Sequence, residues 1–257
     1  MANAKLSYVN HVDRDGALAS ASVTSGAMAP PAIFDTRPTK RWRSVTLNVW
    51  LQIDFGANVD IDVVALVFPR DTAFPSGTVQ FLMDADGGTP GAGAADDSGS
   101  VTLDIAEGYG YQVYLPSATV TARYLRIQFA ATGVSKIDVG RVWAGELFEP
   151  ERNIDAGYVD RWLDASTKTR GKRSGSTFVD SLPRFREVAF RFSTVSQSDR
   201  DTHEELQRVI GASRQALLLI DPDNTKKQTV LGRLEQPSGL GYRTVNLYET
   251  SYLLREY

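Results

Sequence analysis

The 257-residue chain contains no cysteine. That excludes a disulfide framework, a thiolate zinc site and a thiol nucleophile, and it suits folding in a reducing cytoplasm. Histidine is almost as scarce, with two residues, His11 and His203. A hydrolase triad or a multi-histidine metal centre would have to be built around one of them. Neither has company. His11 lies in a polar N-terminal segment with Asp13 and Asp15, where a solvated loop is expected, and His203 reads as a partly buried histidine on a helix surface. No stretch approaches the roughly 18 apolar residues of a membrane span, and the N-terminus lacks the basic start and apolar core of a signal peptide. No membrane insertion is expected. Charge of one sign is missing too. Residues 1–150 carry 11 Lys/Arg against 16 Asp/Glu and residues 151–257 carry 17 against 15, a net −3 overall. That imbalance is too mild to imply nucleic-acid binding, so no specific nucleic-acid partner is expected.

What is present is globular and mostly β. Hydrophobic residues make up 42% and charged residues 23%, which argues against long disorder, and the length accommodates two domains. Through the first 150 residues, short segments alternate apolar and polar between turn-rich gaps, the pattern of half-buried strands. In residues 50–55 the side chains of Leu51, Ile53 and Phe55 share one face and Gln52 and Asp54 the other, with Gly56 ending the run. Residues 61–68 become apolar on both faces, as a strand covered on both sides would. Residues 79–83, 111–115, 124–129 and 137–148 complete the set, with Leu125, Ile127 and Phe129 facing inward. The stretch from Asp84 to Ser100 holds five glycines and a proline and is expected to be a loop.

Around Pro150 the apolar signal drops between charges, which places a linker there and divides the chain into domains 1–150 and 151–257. In the second, strand-like pieces at 157–163, 185–194, 215–221, 229–234 and 242–254 surround one helix near 199–210. Ser198 is its expected cap, Leu206, Val209 and Ile210 its apolar stripe, and Gly211 its end. The fold class is therefore mainly β: an N-terminal jelly-roll β-sandwich followed by a small β-barrel-like domain with one α-helix.

Few constellations suggest chemistry. Asp84-x-Asp86-Gly begins like a calcium loop, but the later ligand positions fail. Asp60 and Asp62 share a strand face as a carboxylate pair would, although a polar strand edge is the simpler reading. The glycine-rich residues 87–93 lack a phosphate-reading lysine and a following helix. No catalytic residue, metal ligand or cofactor site is assigned. The basic run Lys168, Arg170, Lys172 and Arg173 suits an acidic neighbouring subunit, nucleic-acid phosphates or a solvated hairpin tip. Trp42, Tyr109 and Tyr111 lie in or beside expected loops, where flat rings would hold a sugar or pack against the sandwich. Trp50 and Trp143 fall in strands and read as core or subcore.

Trp42-Arg43-Ser44, the strand pair at 50–56 and 61–66, and Arg123-Tyr124-Leu125-Arg126-Ile127-Gln128-Phe129 together resemble a galactose-binding-like, discoidin-type jelly roll over about 100 residues. Residues 137–150, followed by Asn153 to Tyr158, are similar to a junction in minor tail proteins of long-tailed, siphovirus-like bacteriophages. The second half, through its ending at residues 248–257, resembles the ring-forming barrel of distal tail and tail-tube proteins. The domain order departs from the commoner distal-tail layout, where the ring-forming domain comes first. The resemblance implies a structural, non-enzymatic component of the phage tail tip, assembled in the bacterial host cytoplasm and carried in the virion tail. It would form or decorate a homo-oligomeric ring, a hexamer being favoured, that joins tail-tube and baseplate proteins. The alternative is a carbohydrate-binding module or adhesin that attaches to a host-surface glycan.

Overall fold

The computed structural model describes residues 3–85, 90–91, 94–170, 176–211, 213–235 and 238–256. In chain order the strands are β1 Lys5–Ser7, β2 Leu18–Ala21, β3 Trp42–Ser44, β4 Asn48–Ile61, β5 Val63–Val67, β6 Ser76–Asp84, β7 Asp96–Asp97, β8 Val101–Thr102, β9 Tyr111–Tyr114, β10 Val120–Thr132, β11 Ile137–Val139 and β12 Arg141–Gly145. They continue with β13 Val159–Leu163, β14 Thr167–Arg170, β15 Thr177–Asp180, β16 Phe185–Val195, helix α1 Gln197–Ile210, β17 Gln215–Leu219, helix α2 Thr225–Gln228, β18 Thr229–Leu234, β19 Gly241–Thr244 and β20 Leu247–Glu256. The chain is mainly β. It falls into two compact units, one of residues 1–149 with 217–229 and the other of residues 150–216 with 230–257. Against the expected division at residue 150, the segment 217–229 packs with the first unit.

The first unit is a sandwich. Its larger sheet runs β2-β4-β10-β6-β7, with β8 also on β6, and a three-stranded sheet β12-β5-β9 lies opposite. Alternation sets the register: Leu125 faces Ile53 on β4 and Met83 on β6, and Ile127 faces Leu51 and Phe81. These side chains meet Val64, Leu66, Val142 and Ala144 of the smaller sheet in one buried core. Phe81 stacks on Tyr114 at 5.2 Å, and the Tyr114 hydroxyl donates to Asp96 at 2.7 Å. At Gly56, φ is 77°, and the β4–β10 register shifts between Ala122 and Tyr124, a bulge that bends the strand where a side chain would be strained.

The smaller sheet is covered on its outer face as well, which is why all five residues of β5 and of β12 are buried. The cover is the N-terminal segment. Asn10 bridges the carbonyl of Val142 and the amide of Ala144, Ser7 accepts the Trp143 indole N–H at 2.9 Å, and β1 pairs with β17 from Lys5↔Leu219 to Ser7↔Leu217. Gly145 permits the approach, because a Cβ there would lie 2.1 Å from the Val9 carbonyl oxygen. His11 therefore sits in a short 3₁₀ turn of this cover rather than in a solvated loop.

In the second unit the strand order is β18-β20-β16-β13, with β19 paired to β20 and β14 and β15 forming a separate hairpin. Helix α1 begins two residues earlier than the sequence suggests: Ser196, not Ser198, is the cap, its Oγ accepting the Asp199 amide. Leu206 and Ile210 are buried, and His203 is completely enclosed, its Nδ1 2.9 Å from the Tyr252 hydroxyl and its ring 5.0 Å from Phe192. The expectation of a helix-surface histidine is corrected accordingly. The short helix α2, which follows a 3₁₀ turn at Pro222–Asn224, has no counterpart in the sequence reading, and it belongs to the first unit.

Candidate binding surfaces

The aromatic trio expected to face a glycan does not assemble. Trp42 is fully buried in β3, its indole N–H donating to the Val23 carbonyl and its ring 6.2 Å from Phe129. Tyr111 is buried in β9 opposite Val67. Both are corrected from glycan-facing to buried residues: Trp42 joins the sandwich core, and Tyr111, opposite Val67, lies on the covered outer face of the smaller sheet. Tyr109 is half-buried between two glycines of positive φ, and its carbonyl accepts from Arg70.

The carboxylate pair is structural: Asp60 accepts from Thr121 Oγ1, and Asp62 from Thr119 Oγ1 and the Leu147 amide. His11 is packed with its Nε2 3.9 Å from Glu146, and burial, opposed by that carboxylate, holds its pKa below the ordinary histidine value. Among the described residues no group of three or more His, Asp or Glu side chains gathers as a metal-ligand set, and no helix is long and apolar enough to cross a membrane. Asp86 and most of the glycine-rich loop lie outside the described residues.

The first unit instead presents a polar and aromatic array on the outer face of its larger sheet. The alternation that buries Leu51, Ile53 and Phe55 in the sandwich puts Trp50, Gln52 and Asp54 on the opposite face, where Trp50 and Asp54 are partly buried and Gln52 is buried. Tyr124, Arg126 and Gln128 of β10 lie directly opposite Asp54, Gln52 and Trp50, and on the other side Gln128 faces Gln80. With strands about 4.8 Å apart and same-face residues about 6.8 Å apart, the patch measures roughly 10 by 14 Å. At its centre the Arg126 guanidinium lies 4.5 Å from the Trp50 ring centroid and its Nε donates to Gln52 Oε1 at 2.9 Å. Burial lowers the pKa of Arg126 from its ordinary value. Beside it, Arg123 clamps Asp54 through two hydrogen bonds of 2.9 and 3.1 Å and lies over Tyr124. That ion pair holds Asp54 below the usual carboxylate range. The signal was available in the sequence, since a tryptophan in phase with Gln52 and Asp54 must share their face.

The second unit presents a different surface. Strand β13 pairs with β16 on one side only among the described residues, and Tyr158, Val159 and Trp162 are each about 40–50% exposed. Every residue of strands β14 and β15 is exposed, with Phe178 and Val179 of β15 and the nearby Leu182 in solvent. Lys168 and Arg170 stand on β14 opposite Val179 and Thr177, and Lys172 and Arg173 lie outside the described residues. Behind the edge, Arg186 is buried against Asp160, and the buried Glu187 is clasped by Arg161 and Arg255, which hold its carboxyl below the usual range.

No protein-family model and no curated protein sequence matches this chain. Solved structures of similar shape include a family 32 carbohydrate-binding module of C. perfringens NanJ in complex with galactose, at 15% identity and a TM-score of 0.43 over 54% of this chain and 98% of that one. The CBM32 of AlyQ in complex with 4,5-unsaturated mannuronic acid is similar at 18% identity and a TM-score of 0.41, over 49% of this chain and 92% of that one. A Ruminococcus gnavus GH29 fucosidase in complex with fucose is similar at 16% identity and a TM-score of 0.46 over 55% of this chain, which spans only 27% of the fucosidase.

Proposed function

We propose that this protein is a non-enzymatic carbohydrate-binding module or adhesin whose jelly-roll unit receives a saccharide on the outer face of its larger sheet. The observation that carries the reading is the partly exposed Trp50 set among Gln80, Gln128 and Arg126 on one sheet face. A sugar ring offers an apolar C–H face, which an indole accepts, and a rim of hydroxyls, which amides and a guanidinium read as paired donors and acceptors. A roughly 10 by 14 Å patch built on the three adjacent strands β4, β10 and β6 gives a rigid platform for two or three linked rings. A glycan array probed with the purified chain, followed by calorimetry, tests this. Binding that Trp50→Ala weakens at least about tenfold supports the reading, and no saccharide binding in the millimolar range refutes it.

The second unit favours a second role that is compatible with the first, a structural subunit of a phage tail tip. The supporting observation is a hairpin and a sheet edge left uncovered with large apolar side chains in solvent, which suits burial against further subunits. On this reading the second unit assembles into a ring at the tail end and the jelly roll is displayed from it toward a host surface.

A further inference from the structure

We infer that the outer sheet face of the jelly roll is specific for an acidic saccharide, and that Arg126 is the residue that takes its carboxylate. This rests on the carbohydrate-binding reading and adds the ligand's charge to it.

Arg43 closes on Asp138 through two hydrogen bonds of 2.6 and 2.8 Å, Arg123 closes on Asp54, and the buried Arg141 meets Asp13 at 2.5 Å. Arg43 and Arg123 place the guanidinium fork against a carboxylate, the geometry the fork is shaped for, Arg141 divides its terminal nitrogens between Asp13 and the Ile33 carbonyl, and Arg70 donates to the Tyr109 carbonyl. Arg126 differs. One face of its guanidinium rests on Trp50, and its Nε is spent on the neutral amide oxygen of Gln52. No ion pair joins it to an Asp or Glu among the described residues, and its direct neighbour on β6 is the apolar Leu82. A partly dehydrated cation lying on an indole is oriented, and its two terminal nitrogens make no hydrogen bond to a described residue.

A planar group with two oxygens is the complement of those nitrogens, and the flanking Gln128 and Trp50 provide what the rest of a sugar ring needs. A uronic acid combines these features in one residue: a carboxylate on the ring edge, vicinal hydroxyls, and an apolar face. A sulfated sugar shares the negative charge but presents its oxygens tetrahedrally, which fits the fork less well.

The test compares ligands before it compares proteins. Binding of the full chain is measured by calorimetry for an oligouronate, for the same oligosaccharide with its carboxyls reduced to alcohols, and for a sulfated counterpart. The expected result is that the uronate binds about tenfold or more tighter than its reduced form, that added salt narrows this gap, and that Arg126→Gln brings the ratio close to one. Arg126→Lys, which keeps the charge but loses the fork, is expected to fall between. Equal binding of uronate and reduced ligand overturns the charge assignment while leaving carbohydrate binding intact. Preference for the sulfated ligand overturns the carboxylate assignment, and binding of none of the three removes both readings.

Discussion

Single side chains in this protein are read by what encloses them, and His203 shows it. Its imidazole is enclosed by Phe192 and Tyr252, and burial pulls its pKa down to about 4 from an ordinary value of 6.5. Because the folded value is the lower one, the unfolded chain takes up the proton first. The contribution of this site to stability is therefore complete above pH 6.5, declines as the pH falls toward 4, and levels off below that. Between pH 7 and 4.5 the loss is about 2–3 kcal/mol. Urea unfolding at those two pH values should show a larger fall for the wild type than for His203→Phe, which keeps a ring but no titrating group. Equal falls would mean that the histidine is protonated as easily folded as unfolded. The same scale exposes the limits of the sequence. Trp50 reads as core or subcore, although its phase with Gln52 and Asp54 puts it on their face. Trp42 and Tyr111 leave no such sign, because strands of three and four residues are too short to reveal which way a side chain points.

Among the elements, long strands announce themselves and short ones do not. β4 and β10 carry enough alternation to fix their faces, and β5 is apolar on both sides because both sides are covered. β1 and β13 draw their partners from far along the chain or are left with one open edge, and neither situation leaves a local pattern. The β14–β15 hairpin is the element with the clearest unmet need. Two strands without a third are marginal in water, and here both faces are in solvent. If the second unit assembles through this hairpin and the β13 edge, sedimentation of the chain at rising concentration should show species above the 28.2 kDa monomer. The double substitution Val159→Lys with Phe178→Ser should then abolish them, since an edge lysine and the loss of an exposed ring both disfavour strand addition and apolar contact. A chain that stays monomeric at several hundred micromolar, with the double substitution changing nothing, would remove the assembly role assigned to this surface.

At the scale of the whole molecule, the loss of apolar signal suggests a division near residue 150, but nothing local in the sequence signals that residues 217–229 pack with the first unit. No composition shift marks a segment that belongs to a distant partner. The consequence can be measured. A fragment of residues 1–149 lacks β17 and α2, so Leu6 loses its partner Leu218 and Asp104 its ion pair with Lys226. That fragment should unfold at lower temperature than the full chain's jelly roll and expose apolar surface to a dye such as ANS. A fragment as stable as the parent would show that the added strand is dispensable.

The pairing of Lys5 with Leu219 also sets an order in time. During synthesis the first unit emerges from the ribosome long before the strand that completes it. Over that interval β1 has its bridge from Leu6 to Phe148 but lacks its strand partner β17, and closing that second contact spans most of the chain, which slows folding. A chaperone that shields the N-terminal segment would therefore act while the ribosome is still translating the second unit. Synonymous codon changes that slow translation between residues 150 and 217 would lengthen this exposed period without altering a single amino acid.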